Sequence, residues 1–193
     1  MSFNSSNLVS LIIEPLRYLF TNYAGSDLTW DSDHLKTKIV IDEIDNFNNI
    51  PLQVLPRILV TRGQFSINPV SLTDNLSESN SISELKGASS KLRFLTVEGV
   101  AQVLLEANNK GTLERMVDLT SKFLAWSGPV IANSKGFKKF GLPLAISSCT
   151  PGRDDKEIFQ CTINVPWIKE EHFKQEEQGK VLMGLVQVLN LVT

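Results

Sequence analysis

The stretch from Ser90 to Lys135 constrains the fold more than any other part of the chain. It carries two apolar runs that meet at Gly99, followed by a long helical pattern opened by Gly111 and Thr112 and running past Trp126. In the first run Leu92 and Phe94 alternate with Lys91 and Arg93; in the second, Ala101, Val103, Leu105 and Ala107 fall on one face of a strand. A β-hairpin turning at Glu98 and Gly99 satisfies both runs and is the favoured reading. Val100, Val103, Leu104 and Ala107 also fit a helical period, so a helix over residues 100–107 stays open. Beyond the break at Asn108-Asn109-Lys110-Gly111, Thr112 is the expected cap of a helix whose buried face shows Leu113, Met116, Val117, Phe123 and Leu124. Glu114 in its first turn suits the helix dipole. Gly128-Pro129 predicts a kink or a division into two helices, because proline removes one backbone bond and clashes with the preceding turn. Lys135, Lys138 and Lys139 place positive charge at the C-terminal end, where the dipole favours cations; phosphate contact is the competing reading of that cluster.

Around this centre the chain alternates short elements. Leu8, Leu11, Ile12, Leu16, Leu19, Phe20 and Tyr23 recur at helical spacing, and Pro15 inside the pattern predicts a kink or a later start. Residues 38–42 read as a short strand with a solvated edge at Asp42, Glu43 and Asp45. Residues 54–63 are the next strand, and Pro56 belongs near its start or on an edge, since proline donates nothing to a ladder. Residues 70–90 turn to Ser, Asn, Glu and Asp with Leu72, Leu76, Ile82 and Leu85 as spaced apolar residues: a projecting arm or a disordered loop. Leu142, Leu144 and Ile146 alternate as a strand, a turn falls at residues 151–154, and Phe159, Cys161, Ile163, Val165 and Trp167 line one face of the returning strand. If this pair folds about residue 155, Cys149 faces Cys161. A reducing compartment then favours two free thiols over a cross-strand bond. Residues 181–192 form a final apolar strand or helix.

The fold class that follows is α+β: a mixed, mainly antiparallel sheet flanked by an N-terminal helix and a long central helix. With 193 residues the chain fits one domain, bearing the polar loop at 70–90 and a C-terminal extension at 170–193. A formal net charge of -2 gives no general attraction to nucleic acid or to an anionic membrane, and the apolar runs are too short to cross one. Trp30, Asp31, Asp33 and His34 raise the question of a metal site, but they lack ligand spacing and read better as a solvated loop. His172 stands in a charged segment. There is no glycine-rich phosphate loop, nucleophile elbow or metal-spaced histidine cluster, so no cofactor is expected and a small enzyme or ligand-binding domain is the weakest reading.

The order of elements resembles the tail-terminator, or tail-completion, proteins of long-tailed bacteriophages and, more loosely, the neck proteins of contractile-tailed ones. The likeness is carried by residues 55–63 leading into the polar loop, by the hairpin at Gly99 flowing into the Thr112 helix, and by Phe159-Gln160-Cys161-Thr162-Ile163-Asn164-Val165. What the resemblance implies is a non-enzymatic hexameric ring of the virion, assembled in the host cytoplasm. Such a ring caps the tail tube, meets tube and sheath proteins on one side and the head connector or an adaptor on the other, and lets DNA pass its lumen without tight binding. Trp30, Asp31, Arg62, Leu72, Leu76, Ile82, Leu85, Lys138 and Lys139 are the expected subunit or partner contacts. A head-closure, tube or baseplate subunit would share the same grammar.

Overall fold

The computed structural model describes residues 6–22, 27–33, 35–44, 56–69, 90–151 and 158–176. In chain order these form α1 (Ser6–Thr21), β1 (Val40–Glu43), β2 (Arg57–Thr61), β3 (Phe65–Pro69), β4 (Ser90–Ala107), α2 (Lys110–Lys135), β5 (Phe137–Phe140), β6 (Ala145–Ile146), β7 (Thr150–Pro151) and β8 (Phe159–Glu176). The fold is mixed α+β, as the sequence indicates: among the described residues, two helices and one sheet of eight strands, largely antiparallel. The sheet order is β1-β2-β4-β8-β5, with β3 also on β4, and β6 and β7 also on β8; β1 and β2 run parallel. The chain divides into two compact units, Met1–Ile67 with Val97–Glu170, and Asn68–Thr96 with Glu171–Thr193. In the second, residues 68–69, 90–96 and 171–176 are strand; the features below belong to the first.

Alternation explains the core. Ile58 and Val60 of β2, Val103 and Leu105 of β4, and Cys161, Ile163, Val165 and Trp167 of β8 are buried in one cluster with Leu8, Ile12, Leu16 and Phe20 of α1 and Leu113, Met116, Leu124 and Ile131 of α2. Strand side chains alternate between faces, so every second residue of three neighbouring strands meets the helices. α1 packs on β1 and β2, α2 on β5, and the helices touch each other. Pro56 ends up where expected, one residue before β2, its carbonyl accepting from Val40 N at 3.1 Å. On the sheet edge, the Arg17 guanidinium donates to Ile41 O from Nε at 3.2 Å and Nη2 at 3.0 Å, so a helix side chain covers a strand carbonyl that a foreign strand would otherwise use.

Several sequence expectations are corrected. Residues 100–107 are strand and not helix, but there is no turn at Glu98 and Gly99: β4 continues straight through them. Gly99 is there for a close approach instead, since a Cβ on it would lie 2.7 Å from Gln64 O and Phe65 Cβ and 2.9 Å from Trp167 Cζ2. α2 begins before Thr112; Asn109 is the N-cap, its side chain accepting from Gly111 N at 2.7 Å and Thr112 N at 3.4 Å. Pro129 does not divide α2, nor does Pro15 delay α1, which starts at Ser6. Each proline forgoes one backbone bond within a helix whose other turns are held by tertiary packing. The helix C-terminus is Gly136 in the left-handed region, φ 69°, and so Lys138 and Lys139 lie on β5 and not on a helix end. A register shift between Phe137 and Lys139 puts both phenylalanines inward and both lysines outward. The strand expected over Leu142, Leu144 and Ile146 shrinks to Ala145–Ile146, with Leu142 and Ile146 exposed. The arm at 70–89 and the tail at 181–193 lie outside the described residues.

Candidate functional site: the second face of the sheet

The residues that alternate with the core strips form the second face. Here Arg57, Leu59, Leu104, Glu106, Gln160, Thr162 and Asn164 replace the uniform apolar set of the first face. Arg57 and Glu106 are directly paired across β2 and β4, are 8% and 3% exposed, and form an ion pair through Arg57 Nε and Glu106 Oε2. Gln160 Nε2 of β8 donates to the other carboxylate oxygen, Glu106 Oε1, at 2.7 Å. One carboxylate thus bridges three adjacent strands. Within an interior, a charge must be paired and hydrogen-bonded to be tolerated, and this carboxylate is both.

Further along the same face the strands are open. A groove of about 790 Å³ is lined by Gln64, Val100, Gln102, Lys139, Asn164 and Pro166, among others, and a second of about 410 Å³ shares Gln64, Val100, Lys139 and Pro166 with it. The chain is turned into this shape at Gly63, where φ is 66° and a Cβ would meet Val100 O at 2.1 Å. The Oδ1 of Asn164 is buried and has no hydrogen-bond partner among the described residues. The lining is mainly neutral amide and apolar surface, with the Lys139 ammonium bordering both grooves and the Glu98 carboxylate on the smaller, an arrangement suited to holding polypeptide.

The expected contact residues separate into three sets. Arg62, Lys138 and Lys139 lie at or near this face: the Arg62 guanidinium sits 4.8 Å from the Phe65 ring centroid, Lys139 borders the grooves, and Lys138 pairs with Glu170 at 2.7 Å. Trp30 and Asp31 are elsewhere, beside α1. Trp30 packs partly against the core with the Arg17 guanidinium 5.1 Å above its ring, while the Asp31 carboxylate accepts from Asp33 N at 2.9 Å, ordering its own loop. Leu72, Leu76, Ile82 and Leu85 lie outside the described residues. Among the described residues no group of three His, Cys, Asp or Glu side chains is placed to hold a metal ion, and no helix is long and apolar enough to cross a membrane.

Two features escaped the sequence reading. One is the Arg57-Glu106-Gln160 network, whose signal was a single charge of each sign set within an apolar strand run. The other is an exposed strip on α2, where Trp126 is 72% and Val130 58% exposed, with the Phe123 ring tilted 40° to that of Trp126 at a centroid distance of 6.1 Å. Trp126 and Val130 stand four residues apart on the flank of the buried stripe of α2. No family model matches the chain, and no curated protein matches it in sequence.

Proposed function

We propose that this chain is a structural protein of a tailed-bacteriophage virion, one subunit of a ring that terminates the tail tube and joins the tail to the head connector. The observation that carries the reading is the succession of β4 into α2: residues 100–107 are strand, linked by Asn108 and Asn109 to a 26-residue helix that covers the sheet. A helix there would have removed the strongest part of the resemblance. The missing turn at Gly99 subtracts from it, and leaves the element order as its basis.

Other features support a subunit role. Trp126 and Val130 on α2, and Phe65 and Ile67 on β3, are large apolar side chains held at the surface, the kind of group that subunit contacts bury. A heterologous contact repeated about a closed axis gives a ring, and a net charge of -2 suits a lumen that DNA crosses without adhering. The partners on this reading are further copies of the chain, tail-tube and sheath proteins, and head-connector or adaptor proteins, in the virion after assembly in the host cytoplasm. Sedimentation or native mass spectrometry of the purified chain, followed by electron microscopy of tails made without it, tests the proposal. The expected outcome is a closed oligomer, and tails of uncontrolled length that fail to join heads. Tails of normal length that still join heads overturn it.

A further inference from the structure

The first sheet unit contains a pair of thiols that the proposed ring function does not use. Antiparallel pairing of β7 with β8 sets Thr150 opposite Gln160 and Pro151 opposite Phe159, which carries Cys149 to the position opposite Cys161. Earlier on the same edge β6 pairs Ala145 with Asn164 and Ile146 with Ile163. Between Ile146 and Thr150 thus lie three residues, against two between Ile163 and Gln160, and the extra residue makes a bulge. Ser147 holds its near side: its Oγ accepts from Thr162 N at 2.8 Å, its amide donates to Thr162 O at 2.9 Å, and its carbonyl accepts from the Cys161 thiol at 3.3 Å. Cys161 is buried on the core side, 1% exposed, and Cys149 packs from the edge, half-buried. Both are free thiols. Burial pushes the Cys161 thiol up, the Ser147 hydroxyl, which donates to Cys161 Sγ at 3.8 Å, opposes this, and the charge and hydrogen bond of the adjacent Cys149 reinforce it.

We propose that Cys149 and Cys161 are a modification site, a dithiol that a small-molecule disulfide such as oxidised glutathione converts to an intramolecular cross-strand disulfide. Directly opposed residues of antiparallel strands have Cα atoms about 4.5–5.5 Å apart, inside the span a disulfide bridges. The roles of the two cysteines follow from access. Cys149 at the edge, as thiolate, attacks one sulfur of the glutathione disulfide, forming a mixed disulfide and expelling one glutathione thiolate. Cys161 then attacks Cys149 Sγ, gives up its proton to solvent, and expels the second glutathione thiolate, which is protonated in turn. Two protein thiols lose two electrons and one glutathione disulfide gains them. The product ties β7 to β8 at the point where the bulge interrupts their hydrogen-bonded pairing.

The experiment exposes the full chain to a series of reduced-to-oxidised glutathione ratios and reads intact mass and peptide maps without reduction. The expected result is loss of two hydrogens, a Cys149–Cys161 linked peptide, and loss of alkylation at both cysteines. In Cys161→Ser the reaction stops at one stable glutathione adduct on Cys149, whereas Cys149→Ser stays unmodified. Accumulation of the glutathione adduct in the wild-type chain without the linked peptide, or covalent dimers in its place, overturns the proposal. The wild-type map decides the matter even if a serine variant folds poorly.

Discussion

On the helix-covered side of the sheet, Ile58, Val60, Val103, Leu105, Ile163 and Val165 are apolar and fully buried; one residue along the same three strands, Arg57, Glu106 and Gln160 meet in a buried polar network. The two faces do different things. Apolar burial is strong but carries no direction, and a strand slipped by two residues keeps its inward and outward sets intact. The network is directional, because Arg57 and Glu106 are exact cross-strand partners separated by 49 residues in sequence. A two-residue slip would leave each in an apolar neighbourhood without the other. The helix-covered face therefore supplies stability, and the second face supplies register.

The sharpest way to break that distinction is to remove the carboxylate. Glu106→Ala should cost about 3–5 kcal/mol, since the buried Arg57 guanidinium loses the carboxylate directly opposite it while Gln160 loses its acceptor. Replacing both charges, as in Arg57→Met with Glu106→Leu, should recover most of the loss, because neither is then left buried against apolar surroundings. Urea denaturation of the three proteins reads both effects. If the single variant unfolds at the wild-type midpoint, the network contributes nothing and the two faces are equivalent.

Adjacent leucines on β4 sharpen the comparison at lower amplitude. Leu105 is fully buried among the helices, while Leu104 lies half-buried on the second face. Leu105→Ala should cost about 3 kcal/mol through lost transfer energy and a residual cavity, and Leu104→Ala less than half of that. Equal losses would show that both faces are packed to the same depth.

How much of this was legible in sequence depends on which physical term placed each residue. The inward sets of β2, β4 and β8 were readable because period-two alternation is a direct record of burial, and so was the facing of Cys149 and Cys161, which needs only the fold point of one local hairpin. Gly99 was misread because glycine marks turns and close approaches alike. Only the proximity of Gln64 and Trp167, fixed by distant parts of the chain, tells them apart. The paired lysines of β5 broke alternation through a bulge that a four-residue strand cannot announce. Of the expected contact residues, Arg62 lies against the Phe65 ring and Lys139 borders the grooves. Trp30 and Asp31 lie beside α1 instead, where the Arg17 guanidinium sits over the Trp30 ring and the Asp31 carboxylate accepts from Asp33 N.

Gly99 gives the next smaller effect. Gly99→Ala pushes a methyl into Phe65 Cβ, Gln64 O and the Trp167 ring, and should cost about 1–3 kcal/mol as overpacking. Gly136→Ala is the control: nothing lies within 4 Å, and only its φ of 69° opposes a side chain, so about 1 kcal/mol is expected. A Gly99 variant no worse than this control would return Gly99 to a conformational role.

The smallest effect tests whether burial, and not charge pairing as such, sets the second face apart. Lys138 and Glu170 pair at 2.7 Å across β5 and β8, a geometry as favourable in distance as many interior pairs, yet their side chains are 64% and 39% exposed. Water solvates both charges whether or not they meet, and holding two long side chains together costs rotamer entropy. Lys138→Ala should therefore change stability by no more than about 0.5 kcal/mol, and added salt should erase even that difference. Glu106→Ala should keep most of its penalty in the same salt, because its partner is screened by protein and not by ions. A salt-sensitive Glu106→Ala penalty would mean that the second face is wet, and that register is held by hydrogen-bond geometry alone.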